Sequence, residues 1–241
     1  MPAQELRGFA EKVTFATGAD SAIGRAVALQ LALQGAYVVA VIPSLAAAGS
    51  RSALDELQSI GTLAKVIEAD ISTEAGAAQA IAEVEAMYGR LDLLVNVGGS
   101  VGETIDNGSH RIWAEIAHSP VDSAYFCTRE AARLLQVRPS PAVVNVANVF
   151  SDGEAQNEIA ALTAAAALKG MSRAFARQLG PKIRVNCVIA GKSVVDSELD
   201  GQSAPARPVA PTEVARSVVY LLSSDAKTLT GQVLTLGVGP K

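Results

Sequence analysis

Cysteine is scarce in this chain of 241 residues: Cys127 and Cys187 are the only two, 60 positions apart. The pair fits neither a disulfide framework nor a zinc spacing. His110 and His118 add no ligand pattern to it, so a metal centre is not expected. Basic clusters are missing too. With 20 Lys+Arg against 24 Asp+Glu the net charge is −4, and no stretch concentrates the cations that nucleic-acid phosphates require. No apolar run reaches the roughly 18 residues of a membrane span. The opening MPAQELRGFAEK lacks the charged-then-apolar form of a secretion leader. No repeat or linker stands out, and the only Pro/Gly/Ser-rich stretch is a loop over 193–211. These absences predict one domain over 1–241, in the cytoplasm, with no nucleic-acid or membrane partner.

What is present is core material: 49% of residues are hydrophobic and 18% charged, which excludes intrinsic disorder. Short apolar runs alternate with longer Ala-rich amphipathic stretches. The runs at Val13–Ala16, Tyr37–Ile42, Ala64–Ala69, Leu91–Val95, Ala142–Val146, Ile183–Ile189 and Gln232–Leu236 read as strands. Helices are predicted over 23–34, 45–60, 73–88, 111–136, 155–179 and 212–224, several of them closed by glycine. Alternation of this kind implies parallel pairing and right-handed crossovers. The expected fold is α/β: a single-domain doubly wound (Rossmann) fold with a seven-stranded parallel sheet flanked by helices.

The turn Thr17-Gly18-Ala19-Asp20-Ser21-Ala22-Ile23-Gly24 joins the first strand to the first helix. Glycines there let backbone approach a pyrophosphate, and the helix N-terminus offers N–H donors. The turn resembles the T-G-x-x-x-G-I-G of the classical short-chain dehydrogenase/reductase family, and the resemblance runs along almost the whole chain. Asp70 follows the third strand, where the family's adenine-contacting aspartate sits. Leu94-Val95-Asn96-Val97-Gly98-Gly99 resembles L-V-N-N-A-G, Ile183-Arg184-Val185-Asn186 is I-R-V-N, and Thr230-Gly231-Gln232 matches T-G-Q.

The resemblance implies hydride transfer between a nicotinamide and a carbonyl or alcohol. The family uses a tyrosine as acid/base, a lysine that lowers its pKa, a polarising serine and a relay asparagine. A tyrosine with a pKa near ~10 needs such cationic help to act at neutral pH. Here the four positions carry Ala161, Ala165, Asn148 and Pro120 in that order, the register being fixed by Ala166–Arg173 downstream. The four tyrosines, Tyr37, Tyr88, Tyr125 and Tyr220, have no lysine four residues on. Tyr125 with Arg129 reads as packing or interface, and Asn148 as a loop cap.

The cofactor positions are thinned as well. Ala22 replaces the middle glycine of the turn. The second strand ends in Ile42-Pro43, with neither an acid for the ribose of NAD nor a base for the phosphate of NADP. Val97 replaces the second asparagine of the fourth-strand motif, and Val195 the threonine that would hold the carboxamide. Gly18, Ile23, Gly24, Asp70 and Asn96 survive, and each also has a structural use. The loop from Gly191 to Glu213 spans 22 positions, short for a lid.

The expectation is therefore a chain that is not an enzyme on its own. It would be the non-catalytic, pseudoenzyme subunit of a hetero-oligomeric short-chain alcohol dehydrogenase. NAD or NADP would be held by an active paralogue and none by this chain. The resemblance places contact with that paralogue at the helices near 111–136 and 155–179, or at 212–239. Small residues around Ala164–Ala167 and Gly170 suit close approach there, with 168, 171 and 175 supplying apolar contact. The arrangement resembles the heteromeric alcohol dehydrogenase of the benzylsuccinate pathway, which implies a hydroxyacyl-CoA-type substrate. Two alternatives stand beside it: an NAD(P)-binding sensor without turnover, and a divergent NAD(P)-dependent reductase.

Overall fold

A computed structural model of the chain describes residues 8–44, 55–57, 59, 64–98, 110–148, 158–191 and 209–237. The strands are β1 (Val13–Ala16), β2 (Tyr37–Ile42), β3 (Ala64–Glu68), β4 (Leu93–Val97), β5 (Ala142–Asn148), β6 (Arg184–Ala190) and β7 (Val233–Leu236). The helices between them are α1 (Ala22–Leu33), α2 (Glu74–Tyr88), α3 (His110–Leu135), α4 (Glu158–Leu179) and α5 (Pro211–Leu222). All pairings are parallel, in the order β3-β2-β1-β4-β5-β6-β7. The chain leaves β1 in opposite directions on either side of the β1/β4 boundary. That reversal opens a crevice beyond the strand ends, where doubly wound folds bind ligands.

Each strand feeds two cores because successive side chains face opposite ways. Val38 and Ala40 join Val27, Leu31, Val214 and Val218 under α1 and α5. Val39 and Val41 join Phe15, Ile81, Val84 and Leu135 under α2 and α3. This double burial explains the unbroken apolar run of β2 and the largely apolar runs of β1 and β4. Helix ends follow the local sequence. Ser21 accepts the Gly24 N–H at 3.0 Å to start α1, and Thr73 accepts the Gly76 N–H at 3.1 Å to start α2. Gly89 closes α2 at φ +65°, a conformation that favours glycine.

Most strand and helix ends lie one to three residues from the sequence reading, and two of the differences bear on the site. β4 begins at Leu93 and not Leu91, because the Asp92 carboxylate takes the Val13 N–H at 2.9 Å and ladder pairing starts after it. β5 runs on to Asn148, which pairs in register with Ala190. Asn148 is therefore a strand-end residue and not a loop cap. Most of the helix expected at 45–60 lies outside the described residues, although 55–57 are helical.

Two buried charges tie elements together. Asp92 is held by Arg90 at 2.9 Å and by Arg138 at 2.8 Å. Burial pushes its carboxyl pKa up, but the bonds from Arg90, the Val13 N–H and Arg138 outweigh this and hold it below the usual carboxylate value. Arg184 opens β6 and donates to the carbonyls of Leu221, Leu222, Ser223 and Ala226 at 2.7–3.2 Å, closing the C-terminus of α5. No described helix is long and apolar enough to cross a membrane.

Candidate functional site

The crevice is built around the Thr17–Gly24 turn, which is fixed to both neighbouring strands. The Thr17 N–H bonds the Val95 carbonyl at 2.9 Å, and the Thr17 hydroxyl accepts from the Val97 N–H at 2.9 Å. On the other side the Ala19 N–H bonds the Val41 carbonyl at 3.2 Å. Gly18 stands at φ +65°, and a Cβ there would lie 2.6 Å from the Val97 carbonyl oxygen. A Cβ at Gly24 would lie 2.0 Å from the Gly18 carbonyl oxygen. Both glycines are thus required by backbone approach, not only by chain flexibility.

The same geometry fits a dinucleotide's phosphates. Ser21 Oγ takes the Gly24 N–H, which leaves the Ala22 and Ile23 N–H groups at the open end of α1. Ala22 is exposed, so its methyl clashes with nothing in the fold and only narrows the approach of a ligand, while Ile23 anchors the helix in the core. Asp70 closes the far side. Its carboxylate accepts from the Ser72 N–H and hydroxyl, and its backbone carbonyl accepts the Thr73 hydroxyl. Ile42 is buried and Pro43 exposed, so the end of β2 presents no charged group.

Asn96 does not face the crevice as a lone polar group. Its amide nitrogen donates to Thr128 Oγ1 at 3.1 Å and to Asn145 Oδ1 at 2.8 Å. Asn145 in turn donates to Ser172 Oγ, which donates to the Leu168 carbonyl. This buried chain ties α3 and α4 to the centre of the sheet below the crevice.

Asn148 lies half-buried at the end of β5. Ala165 is buried and Ala161 half-buried on α4, where they pack in a cluster with Ala124, Ala147, Leu168, Cys187 and Ile189. Methyl groups therefore stand at the positions where the resemblance implied tyrosine and lysine. Pro120 lies inside α3, and a Cβ on Gly98 would come within 3.1 Å of its ring, so this part of the helix presses on the end of β4. Val195 lies outside the described residues.

The other expectations on α4 divide. Ala166, Ala167 and Gly170 are exposed, while Leu168 and Phe175 turn to the sheet and are unavailable for contact with another chain. Arg129 stacks over the Tyr125 ring at 5.9 Å and pairs with Glu74 and Glu130, so that tyrosine is packed against a cation already engaged. Burial pushes the Cys127 thiol up to about 12 and Cys187 up to about 11, which leaves both as neutral core groups.

The sequence model of a family described as enoyl-(acyl carrier protein) reductase matches residues 18–240. A short-chain dehydrogenase/reductase from Cladobotryum, FrzI, is 26% identical, covering 95% of each chain. A 3-oxoacyl-[acyl-carrier-protein] reductase from Staphylococcus aureus is 29% identical, covering 95% of this chain and 97% of its own. A crystal structure of a short-chain dehydrogenase/reductase from Brucella melitensis superposes with a TM-score of 0.79 at 26% identity, over 96% of this chain and 97% of that one. This chain belongs to the short-chain dehydrogenase/reductase family. It is an oxidoreductase of that type. The expectation that it is not an enzyme is thereby corrected: relatives matched end to end are named as reductases and dehydrogenases. The physical reason is that a proton donor is one contribution to the rate. The positioning supplied by the fold is another, and Gly18 and Gly24 of the turn are kept where close backbone approach requires them.

Sequence reasoning passed over the cap of α1 and the bonds that fix the turn. Ser21 was legible as a helix cap from its place before an apolar helical run. The Thr17–Val97 and Ala19–Val41 bonds, and the consequent placing of Asp20, depend on strand order and leave no local signal.

Proposed function

We propose that this protein is a divergent NAD(P)-dependent reductase that binds the dinucleotide in its own crevice. The observation that carries the reading is the backbone cradle: Gly18 and Gly24 sit where any side chain would collide with backbone, beside open N–H donors of α1. A bound dinucleotide supplies or accepts the hydride. The protein's share is to position and polarise. Thr17, Ala19 and Gly24 hold the phosphate turn rigid, Asn148 polarises the substrate oxygen from the end of β5, and the proton comes from solvent. Half-buried Ala161 leaves more room on the substrate side of the crevice than a tyrosine would. Acyl thioesters of the kind named for the acyl-carrier relatives fit such a space. The exposed Tyr125 on α3 and the exposed Ala166, Ala167 and Gly170 on α4 favour assembly through these helices with a second dehydrogenase chain.

The test uses the protein purified at native level, with chain composition read by native mass spectrometry and turnover followed with NADH, NADPH and a panel of ketones and 3-oxoacyl thioesters. Carbonyl-dependent oxidation by the protein is expected. The double substitution Ala161→Tyr with Ala165→Lys should raise kcat by about a hundredfold and leave the dinucleotide KM near wild type. No turnover by either form would overturn the reading.

A further inference from the structure

Charge is unevenly spread over the helices of one sheet face. From Ile159 to Val195 the chain has no Asp or Glu, so α4 carries cations alone after its first residue. Lys169, Arg173 and Arg177 recur every four residues and form one row along it. Arg173 and Arg177 are exposed and Lys169 is half-buried. Among the described residues none of the three makes an ion pair, whereas Arg90, Arg129, Arg133 and Arg138 are each held by a carboxylate. Packing sets the row on the flank away from α3. Phe175 meets Tyr125 of α3 at 5.9 Å between ring centres, while Ala176, one turn on from Arg173, lies beside Gly231 ahead of β7.

Next to this row runs a second one of small exposed residues, Ala166, Gly170 and Ala174, and a Cβ on Gly170 would meet nothing within 4 Å. Small side chains let another helix come close, and Ala174, Arg177 and Gln178 line an open hollow that a side chain can enter. Charge decides what can settle there. A second copy packed antiparallel on α4 about a two-fold axis brings the same flank of its own helix alongside, so Lys169, Arg173 and Arg177 would face their like. Like charges set together at an interface exclude a wrong partner, and opposite charges admit the right one.

We propose that the outer face of α4 takes a chain other than its own: a helix that lays Asp or Glu along the cationic row, while the row itself bars self-pairing. The proposal rests on the assembly through α3 and α4 given above and names what the second chain brings to it.

Oxidative cross-linking through Gly170→Cys tests it on the full chain, with a copy carrying Lys169→Glu, Arg173→Glu and Arg177→Glu as the acid-faced probe. Cys127 and Cys187 are buried and stay out of the reaction. Each form is first checked for a wild-type melting temperature. Should the triple reversal fail to fold, Arg173→Glu with Arg177→Glu, both exposed, serves as the probe. Mixed in equal amounts at low salt, parent and reversed chains are expected to give mixed dimers in at least about tenfold excess over parent–parent dimers, the excess falling as salt rises toward about 0.5 M. Parent–parent dimers formed as readily as mixed ones would overturn the selection by charge and leave assembly through α4 standing. No dimers in any mixture would overturn both. Turnover with NADH is followed on the same samples, so the reductase reading stands or falls apart from either result.

Discussion

Thr14 stands in the middle of β1, fully buried between β2 and β4, and its hydroxyl has no hydrogen-bond partner. An unpaired buried hydroxyl lowers stability relative to a methyl of the same shape. Thr14→Val should therefore raise the free energy of unfolding by about 1 kcal/mol, read from the urea midpoint at unchanged slope. A lower midpoint would show that the hydroxyl is satisfied after all. Single residues were also where the sequence was least legible. Asn96 and Asn145 were visible as motif residues, but their joining with Thr128 and Ser172 depends on how α3 and α4 lie on the sheet.

At the scale of elements, the turn and α1 behave as one unit. Gly24→Ala places a methyl 2.0 Å from the Gly18 carbonyl oxygen, and backbone on both sides cannot yield cheaply. The substitution should cost about 1–3 kcal/mol and abolish dinucleotide binding. Gly170→Ala is the control, since a Cβ on that exposed helical position meets nothing within 4 Å. It should stabilise by up to about 1 kcal/mol through helix propensity. Equal effects of the two on stability would contradict the role given to close approach in the turn.

The opposite end of the sheet is clamped by Asp92, which links β1, β4 and Arg138 beyond α3. The folded state holds this carboxyl below its usual pKa, so it favours the charged form. Its contribution is present above the unfolded value near ~4 and is lost as pH falls through the folded value. Melting temperature should accordingly drop steeply below about pH 4. Asp92→Asn should lower stability at neutral pH and flatten that acid limb. A variant with the wild-type acid limb would show that other carboxylates govern it.

For the molecule as a whole, the succession of strands and helices along the chain was legible because burial on both sheet faces writes mostly apolar runs, and glycines such as Gly35 and Gly89 punctuate them. The site was legible only in part. The glycine turn announces itself, but changes at Pro120, Asn148, Ala161 and Ala165 invite an inference of lost activity. Those residues report on how a proton is handled; they do not report whether the crevice still positions a dinucleotide. Gly18 and Gly24 report on that, and their geometry is kept. The measurement that bears most directly on this claim is transfer of deuterium from C4-deuterated NADH to a carbonyl by the isolated protein. Label in the alcohol product, lost in Gly24→Ala, is the predicted result. Unlabelled carbonyl after prolonged incubation, with the protein folded and NADH intact, would contradict the account.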